Sequence, residues 1–118
     1  MPPPEPFQLL YYQMRNWRVP FQEWIDSLTD PVDYAAARKR LARLQRGLFG
    51  DCKPVGDGVL ELRIDLGPGY RTYLARAGSE VILLICGGDK RTQTEDIKRA
   101  KTYWKDYQAR TRAAGSAR

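Results

Sequence analysis

Five charged or phenolic side chains fall at alternate positions around one Gly67-Pro68-Gly69 break: Glu61, Arg63 and Asp65 before it, Arg71 and Tyr73 after it. Alternate residues of an extended chain share a face, so two such segments folded back on each other carry all five on one polar surface. With the turn centred at Pro68, Asp65 stands opposite Arg71 and Arg63 opposite Tyr73, whereas a slip of one residue would turn Arg71 to the other side. Guanidiniums in this arrangement can hold phosphate oxygens and offset the charge that builds on a pentavalent phosphorus. A cross-strand ladder of salt bridges is the plainer use of the same residues.

Lys90 and Arg91 follow Gly87-Gly88-Asp89, just ahead of a helix start at Thr92. Backbone amides and the helix dipole favour an anion there, and two glycines permit close backbone approach. The spacing is not that of a Walker loop, which requires a Lys-Ser/Thr ending. Together with Arg63 and Arg71 it points to a basic patch able to hold an RNA backbone.

Composition narrows the chemistry further. The 118 residues hold 20 Lys+Arg against 14 Asp+Glu and no histidine, a formal net charge of +6. Residues 1–30 contain two arginines and four acidic residues, so the remaining chain carries +8. An anionic partner fits this field. Without histidine, acid–base chemistry must use Lys, Arg, Tyr, Asp or Glu. Cys52 and Cys86 stand alone, without zinc spacing or a disulfide framework, and read as reduced, buried thiols of a cytoplasmic protein. No metal or cofactor is implied. The start, Met1-Pro2-Pro3-Pro4-Glu5-Pro6, lacks a signal-peptide pattern, and no apolar run approaches the roughly 18 residues of a membrane span.

The length is that of one domain, 1–118, with 1–6 and 113–118 expected to be flexible. An aromatic, apolar stretch over 7–14 predicts a first strand. Phe21, Trp24, Ile25 and Leu28 share a helical face, entered at Pro20 and closed by Asp30-Pro31. That pair opens a second helix, over 31–47, with Ala37, Leu41, Leu44 and Leu48 on one stripe. Its opposite side carries Lys39, Arg43 and Arg46, flanked by Arg38 and Arg40. This is a solvated outer face or, alternatively, a surface for phosphates or an acidic partner.

Beyond Asp51 the period changes to 2. Strands are expected over 60–66, 70–76 and 81–86, the last broken by the glycine pair, with a fifth short one over 52–55. Thr92-Gln93-Thr94-Glu95 has the form of a capping box, leading a final helix with Ile97, Ala100, Trp104 and Tyr107 on one stripe. The expected class is α+β: a mostly antiparallel sheet of four to five strands with two N-terminal helices and one C-terminal helix.

An ordered series of short motifs adds a resemblance. Phe49-Gly50-Asp51-Cys52-Lys53, Val55-Gly56-Asp57-Gly58-Val59, Glu61-Leu62-Arg63, Gly67-Pro68-Gly69-Tyr70-Arg71 and Cys86-Gly87-Gly88-Asp89-Lys90, with Trp24 before and Thr92-Gln93 and Asp96-Ile97 after, are similar to the phage-derived, HigB-like addiction module killer branch of the RelE/ParE toxin superfamily. The match spans about residues 17 to 105. It implies a RelE-like fold and a cytoplasmic toxin of a bacterial type II toxin–antitoxin pair, neutralised by a helix-turn-helix antitoxin and reaching operator DNA only through it. RelE-type relatives cut mRNA in the ribosomal A site.

Carried over by motif, Arg71 matches the sheet arginine, Arg63 a basic position on the preceding strand, and Lys90-Arg91 the Lys-Arg after the central strand. Arg63, Arg71, Lys90 and Tyr73 form the expected catalytic set. Lys53, Arg91, Lys39, Arg43 and Arg46 are expected on RNA, the last three on ribosomal RNA. One departure is visible: where RelE enzymes have a tyrosine in the first turn of the final helix, this chain has Ile97. Tyr73 or Tyr70 would supply any phenol, and Lys90 or Lys53 is a better candidate for proton transfer than an arginine, which holds its proton more tightly. The missing tyrosine also keeps open a ParE-like, non-enzymatic inhibitor of DNA gyrase and a degenerate toxin that retains only antitoxin binding.

Overall fold

A computed structural model of the protein describes residues 6–116. The element order is β1 (Gln8–Tyr11), α1 (Pro20–Ser27), α2 (Pro31–Gln45), β2 (Cys52–Gly56), β3 (Val59–Ile64), β4 (Tyr70–Gly78), β5 (Val81–Gly88), a single 3-10 turn (Lys90–Thr92) and α3 (Gln93–Ser116). The strands form one five-stranded sheet in the order β1-β5-β4-β3-β2. β1 runs parallel to β5 and the other pairings are antiparallel, so the architecture is α+β with a mixed sheet and three helices.

Each face of the sheet is covered by helix. Phe21, Ile25 and Leu28 from α1 and its exit, with Ala37, Leu41 and Leu44 of α2, pack on Leu62, Ile64, Leu74, Ile82 and Leu84. On the other face, Ala100 and Trp104 of α3 pack on Val59, Tyr73, Ala75, Leu83 and Ile85. Asp30 caps α2, its carboxylate accepting from the backbone N–H groups of Val32 and Asp33. Helix α2 ends at Gln45, two residues before the expected stop, and Leu48 therefore leaves the stripe and stands 48% exposed.

Three sequence expectations change in the sheet. First, the β3–β4 register pairs Arg63 with Arg71 and Glu61 with Tyr73, in place of Asp65 with Arg71 and Arg63 with Tyr73. The ladder ends at Ile64 because the Leu66 N–H turns back to the Ile64 carbonyl, and Gly67 and Gly69 take the left-handed φ values of 60° and 78° that the turn requires. The turn is thus centred on Gly67. This moves partners by two positions and, the side-chain period being 2, leaves every residue on its expected face.

Second, that face is not a polar surface. It lies under α3, where Glu61 and Tyr73 are fully buried. Third, Gly87 and Gly88 continue β5 and do not break it. A Cβ on Gly87 would fall 2.2 Å from the Trp24 ring, and one on Gly88 would fall 1.9 Å from the Asp96 carboxylate. The glycines admit α1 and α3 close to the strand end.

α3 continues through Ser116, so the expected tail is helical as far as that residue. Residues 117–118 and, at the other end, 1–5 lie outside the described residues. Among the described residues no helix is long and apolar enough to cross a membrane.

Candidate nucleic-acid interface

At the Gly69 end of the hairpin two arginines stand opposite each other, Arg63 on β3 and Arg71 on β4, with Gly88 of β5 opposite Arg71 in turn. A bulge makes this alignment: Tyr73 pairs with Cys86 but Leu74 pairs with Leu84, so Ile85 is the extra residue. Bulges of this kind re-aim a strand end, here delivering Gly88 and the following Lys90 beside the arginines.

Glu61, two residues before Arg63, is the hub of the cluster. Its Oε1 lies 3.3 Å from Arg63 Nε and 3.6 Å from Arg71 Nε. Its Oε2 accepts from the Tyr73 hydroxyl at 3.2 Å and from Gln93 Nε2, at the start of α3, at 2.8 Å. Burial alone would raise the Glu61 carboxyl. The bonds from Gln93, Arg63 and Tyr73 and the charge of Arg71 oppose it and leave the group below the usual carboxylate range. Glu61 is therefore an anion with no solvent exposure, its donors converging from β3, β4 and α3.

The two arginines differ in access. The Arg63 side chain is 38% exposed, the Arg71 side chain 10%. Arg71 Nη1 donates to the Gly69 carbonyl at 2.7 Å, and its buried Nε has no hydrogen-bond partner among the described residues. Gly69 also adjoins Lys90: a Cβ there would meet Arg71 Nη1 at 3.2 Å and Lys90 Cβ at 3.5 Å. The Lys90 N–H points to the Pro68 carbonyl, and its side chain is exposed. Lys53 stands opposite Glu61 on β2, on the same face and exposed. Lys53, Arg63, Arg71 and Lys90 thus gather at one end of the sheet around one buried carboxylate, an arrangement able to bind phosphate oxygens.

Other expected residues are placed differently. Tyr73 is enclosed, and burial together with the neighbouring Glu61 carboxylate pushes its phenol well above the usual range. Its hydroxyl orients Glu61. Tyr70 donates to Asp33 of α2 at 2.8 Å. Arg91 turns onto Asp89 at 3.0 Å, and the Asp89 carboxylate accepts the Arg91 N–H, so the expected anion position at this helix entrance is filled by the chain's own Asp89. The capping box runs from Asp89 to Thr92, three residues earlier than expected. Ile97, on the first turns of α3, is half-buried against the cluster that α3 covers.

Lys39, Arg43 and Arg46 are exposed on the outer side of α2, remote in sequence and element from the cluster. Their flanking neighbour Arg40 turns inward instead, its guanidinium donating to the backbone carbonyls of Arg63, Leu48 and Phe49. Of the two thiols, Cys86 is buried as expected while Cys52 is only half-buried, and both are free. Among the described residues no group of His, Cys, Asp or Glu is arranged to hold a metal.

Sequence reading missed the roles of Glu61 and Gln93. The signal for Glu61 was its alternation with Arg63, which located it on the correct face; only the packing of α3 reveals that the face is covered.

No protein-family model matches the chain, and no solved structure matches it. An uncharacterized protein of Haemophilus influenzae (strain ATCC 51907 / DSM 11121 / KW20 / Rd) is 49% identical over 81 residues, covering 69% of this chain and 82% of the relative. At that identity and coverage, the chain belongs to the same family as the Haemophilus influenzae protein.

Proposed function

We propose that the protein is the toxin of a type II toxin–antitoxin pair of the RelE/ParE kind, acting in the cytoplasm as a ribosome-dependent mRNA endoribonuclease. The observation that carries this reading is the pairing of Arg63 with Arg71 over one buried carboxylate, with Lys90 reaching the same place from β5. RNA cleavage of this kind uses the substrate's own 2′-hydroxyl as nucleophile. The protein must then hold the scissile phosphate, offset its added charge and accept or give a proton.

Glu61 sets the two guanidiniums side by side. Arg63 and Lys90 reach the non-bridging oxygens, and Arg71 supports them from beneath. Being exposed, Lys90 or Lys53 serves proton transfer; Tyr73, enclosed and bonded to Glu61, serves to position. Lys39, Arg43 and Arg46 meet ribosomal RNA on the outer side of α2, and a helix-turn-helix antitoxin neutralises the protein.

A specific observation favours a second reading, a non-enzymatic inhibitor of DNA gyrase. Tyr73 is buried, and the position of the final helix where RelE enzymes carry a tyrosine is occupied by Ile97, so neither place offers a phenol to a substrate. Purified protein added to a bacterial translation extract and, separately, to a gyrase supercoiling reaction distinguishes the two. Arrest of translation with supercoiling intact is the expected result; loss of supercoiling with translation intact would replace the nuclease by the gyrase reading.

A further inference from the structure

We infer that Gln93 is the residue that recognises the ribose: its side-chain carbonyl accepts the hydrogen bond of the 2′-hydroxyl beside the scissile phosphate. This rests on the nuclease reading proposed above, which supplies a phosphate site but leaves the attacking hydroxyl without a group that orients it.

The position of Gln93 follows from the helix it begins. α3 lays Ile97, Ala100 and Trp104 on the sheet, and Gln93 falls four residues before Ile97 on the same stripe. An apolar side chain would simply continue that stripe. The entry to α3 is pinned: Asp89 caps the Lys90–Thr92 turn, and Thr92 Oγ1 donates to the buried Asp96 carboxylate in the space that Gly88 leaves free. Gln93 Nε2 then donates to Glu61 Oε2 at 2.8 Å, while the other oxygen of that carboxylate faces Arg63 Nε at 3.3 Å and Arg71 Nε at 3.6 Å. One carboxylate therefore separates the Gln93 amide from both guanidiniums, and three residues separate it from Lys90.

Chemistry fixes which end of the amide faces Glu61. An ionised carboxylate only accepts, so the NH2 group lies on it and the carbonyl is directed elsewhere. Gln93 is half-buried; its Oε1 has no hydrogen-bond partner among the described residues and is not enclosed. Nothing else bonded to Glu61 offers the same. The guanidiniums only donate, and the Tyr73 hydroxyl is buried. Gln93 Oε1 is thus the accepting atom that the network leaves open.

The reaction calls for an acceptor at this place. An attacking 2′-oxygen must come within about 3–3.5 Å of the phosphorus, so the partner of its hydrogen stands beside the groups that hold the non-bridging oxygens. A neutral carbonyl orients the hydroxyl without taking its proton and without setting a negative charge against the phosphate. Deoxyribose has no such donor, and the 2′-hydroxyl is the group by which a protein tells RNA from DNA.

The test uses the full chain and purified bacterial ribosomes programmed with a short message. Cutting of the all-ribose message maps the scissile position. The nucleotide 5′ of it is then replaced by its 2′-amino form, which keeps an N–H donor, or its 2′-fluoro form, which has none; both lack the attacking oxygen and permit equilibrium binding. The parent is expected to bind the 2′-amino message about fivefold more tightly than the 2′-fluoro message, the worth of one neutral hydrogen bond. In Gln93→Met the ratio should fall to near one. Gln93→Lys keeps a donor for Glu61 and removes the acceptor, so it should melt close to the parent and still fail to restore the ratio. Equal binding of the two messages by the parent, a ratio unchanged in Gln93→Met, or a ratio restored in Gln93→Lys would overturn the inference. With the all-ribose message cut, any of these leaves the nuclease reading standing; a parent that cuts no message overturns that reading, and this inference with it.

Discussion

Arg71 Nε approaches Glu61 Oε1 to 3.6 Å in a space where the carboxylate has no solvent exposure and the arginine 10%. A buried pair of this kind gives little net stability compared with an apolar replacement, but removing one partner leaves a charge stranded. Glu61→Gln is expected to destabilise the fold by about 3–5 kcal/mol. The double variant Glu61→Gln/Arg71→Met should lose much less than the two single losses combined. Urea denaturation of the four proteins checks this, and a Glu61→Gln protein as stable as the parent would refute the stranded-charge argument. Because Arg71 is part of this pair, Arg71→Ala perturbs folding along with activity. Arg63→Ala and Lys90→Ala are the cleaner probes of chemistry.

The same carboxylate gives stability a defined pH dependence. Held below its ordinary value of 4.5 in the folded state, the Glu61 carboxyl contributes stability that is present above that value and lost as pH falls through the lower, folded one. The difference in urea midpoint between parent and Glu61→Gln should therefore shrink as pH is lowered from about 6 to about 3. A difference that stays constant over this range would mean that Glu61 is not the anion assigned here.

Gly88 sets how closely α3 approaches β5. Its missing Cβ leaves room for the Asp96 carboxylate and Thr92 Oγ1, which would lie 1.9 Å and 2.8 Å from that atom. Gly88→Ala is expected to lower stability by roughly 3 kcal/mol, at the upper end for overpacking, because Asp96 is itself buried and cannot swing aside. Thermal melting measures it. An unchanged melting temperature would show that α3 tolerates displacement.

Burial, reinforced by the Asp96 carboxylate and opposed by Arg99, pushes the Cys86 thiol up to about 12. At about pH 8 almost none of it is thiolate, the nucleophilic form. Iodoacetamide should leave Cys86 unmodified in the native protein and alkylate it on unfolding, with half-buried Cys52 reacting first. Peptide mapping by mass spectrometry reads the order. Native labelling of Cys86 at the unfolded rate would contradict its placement under α3.

Periodicity made most of this fold legible in the sequence. The stripe Phe21, Ile25 and Leu28, the Asp30 cap and the alternation at Leu62 and Ile64 are local signals, and each element they mark is present. What stayed hidden depends on contacts distant along the chain. Glu61 alternates like a solvent-facing residue, and only α3 makes it interior. Gly87 and Gly88 resemble a break because the rings and carboxylates that need their space belong to α1 and α3. Arg40 looks like another cation on a basic helix face, yet it turns inward to the carbonyls of Phe49, in the loop before β2, and of Arg63 on β3, which no local pattern encodes. The parallel pairing of β1 with β5 joins residues more than 70 positions apart, beyond the reach of a local signal.

The most direct measurement is primer extension on a reporter mRNA after brief induction of the protein in growing bacteria, alongside Arg63→Ala and Lys90→Ala. Cuts phased to codons within translated regions, abolished when translation is blocked and strongly reduced in both variants, are the expected result. Growth arrest with the mRNA intact, or cutting undiminished in both variants, would contradict the assignment of the Arg63, Arg71 and Lys90 cluster as the site of RNA cleavage.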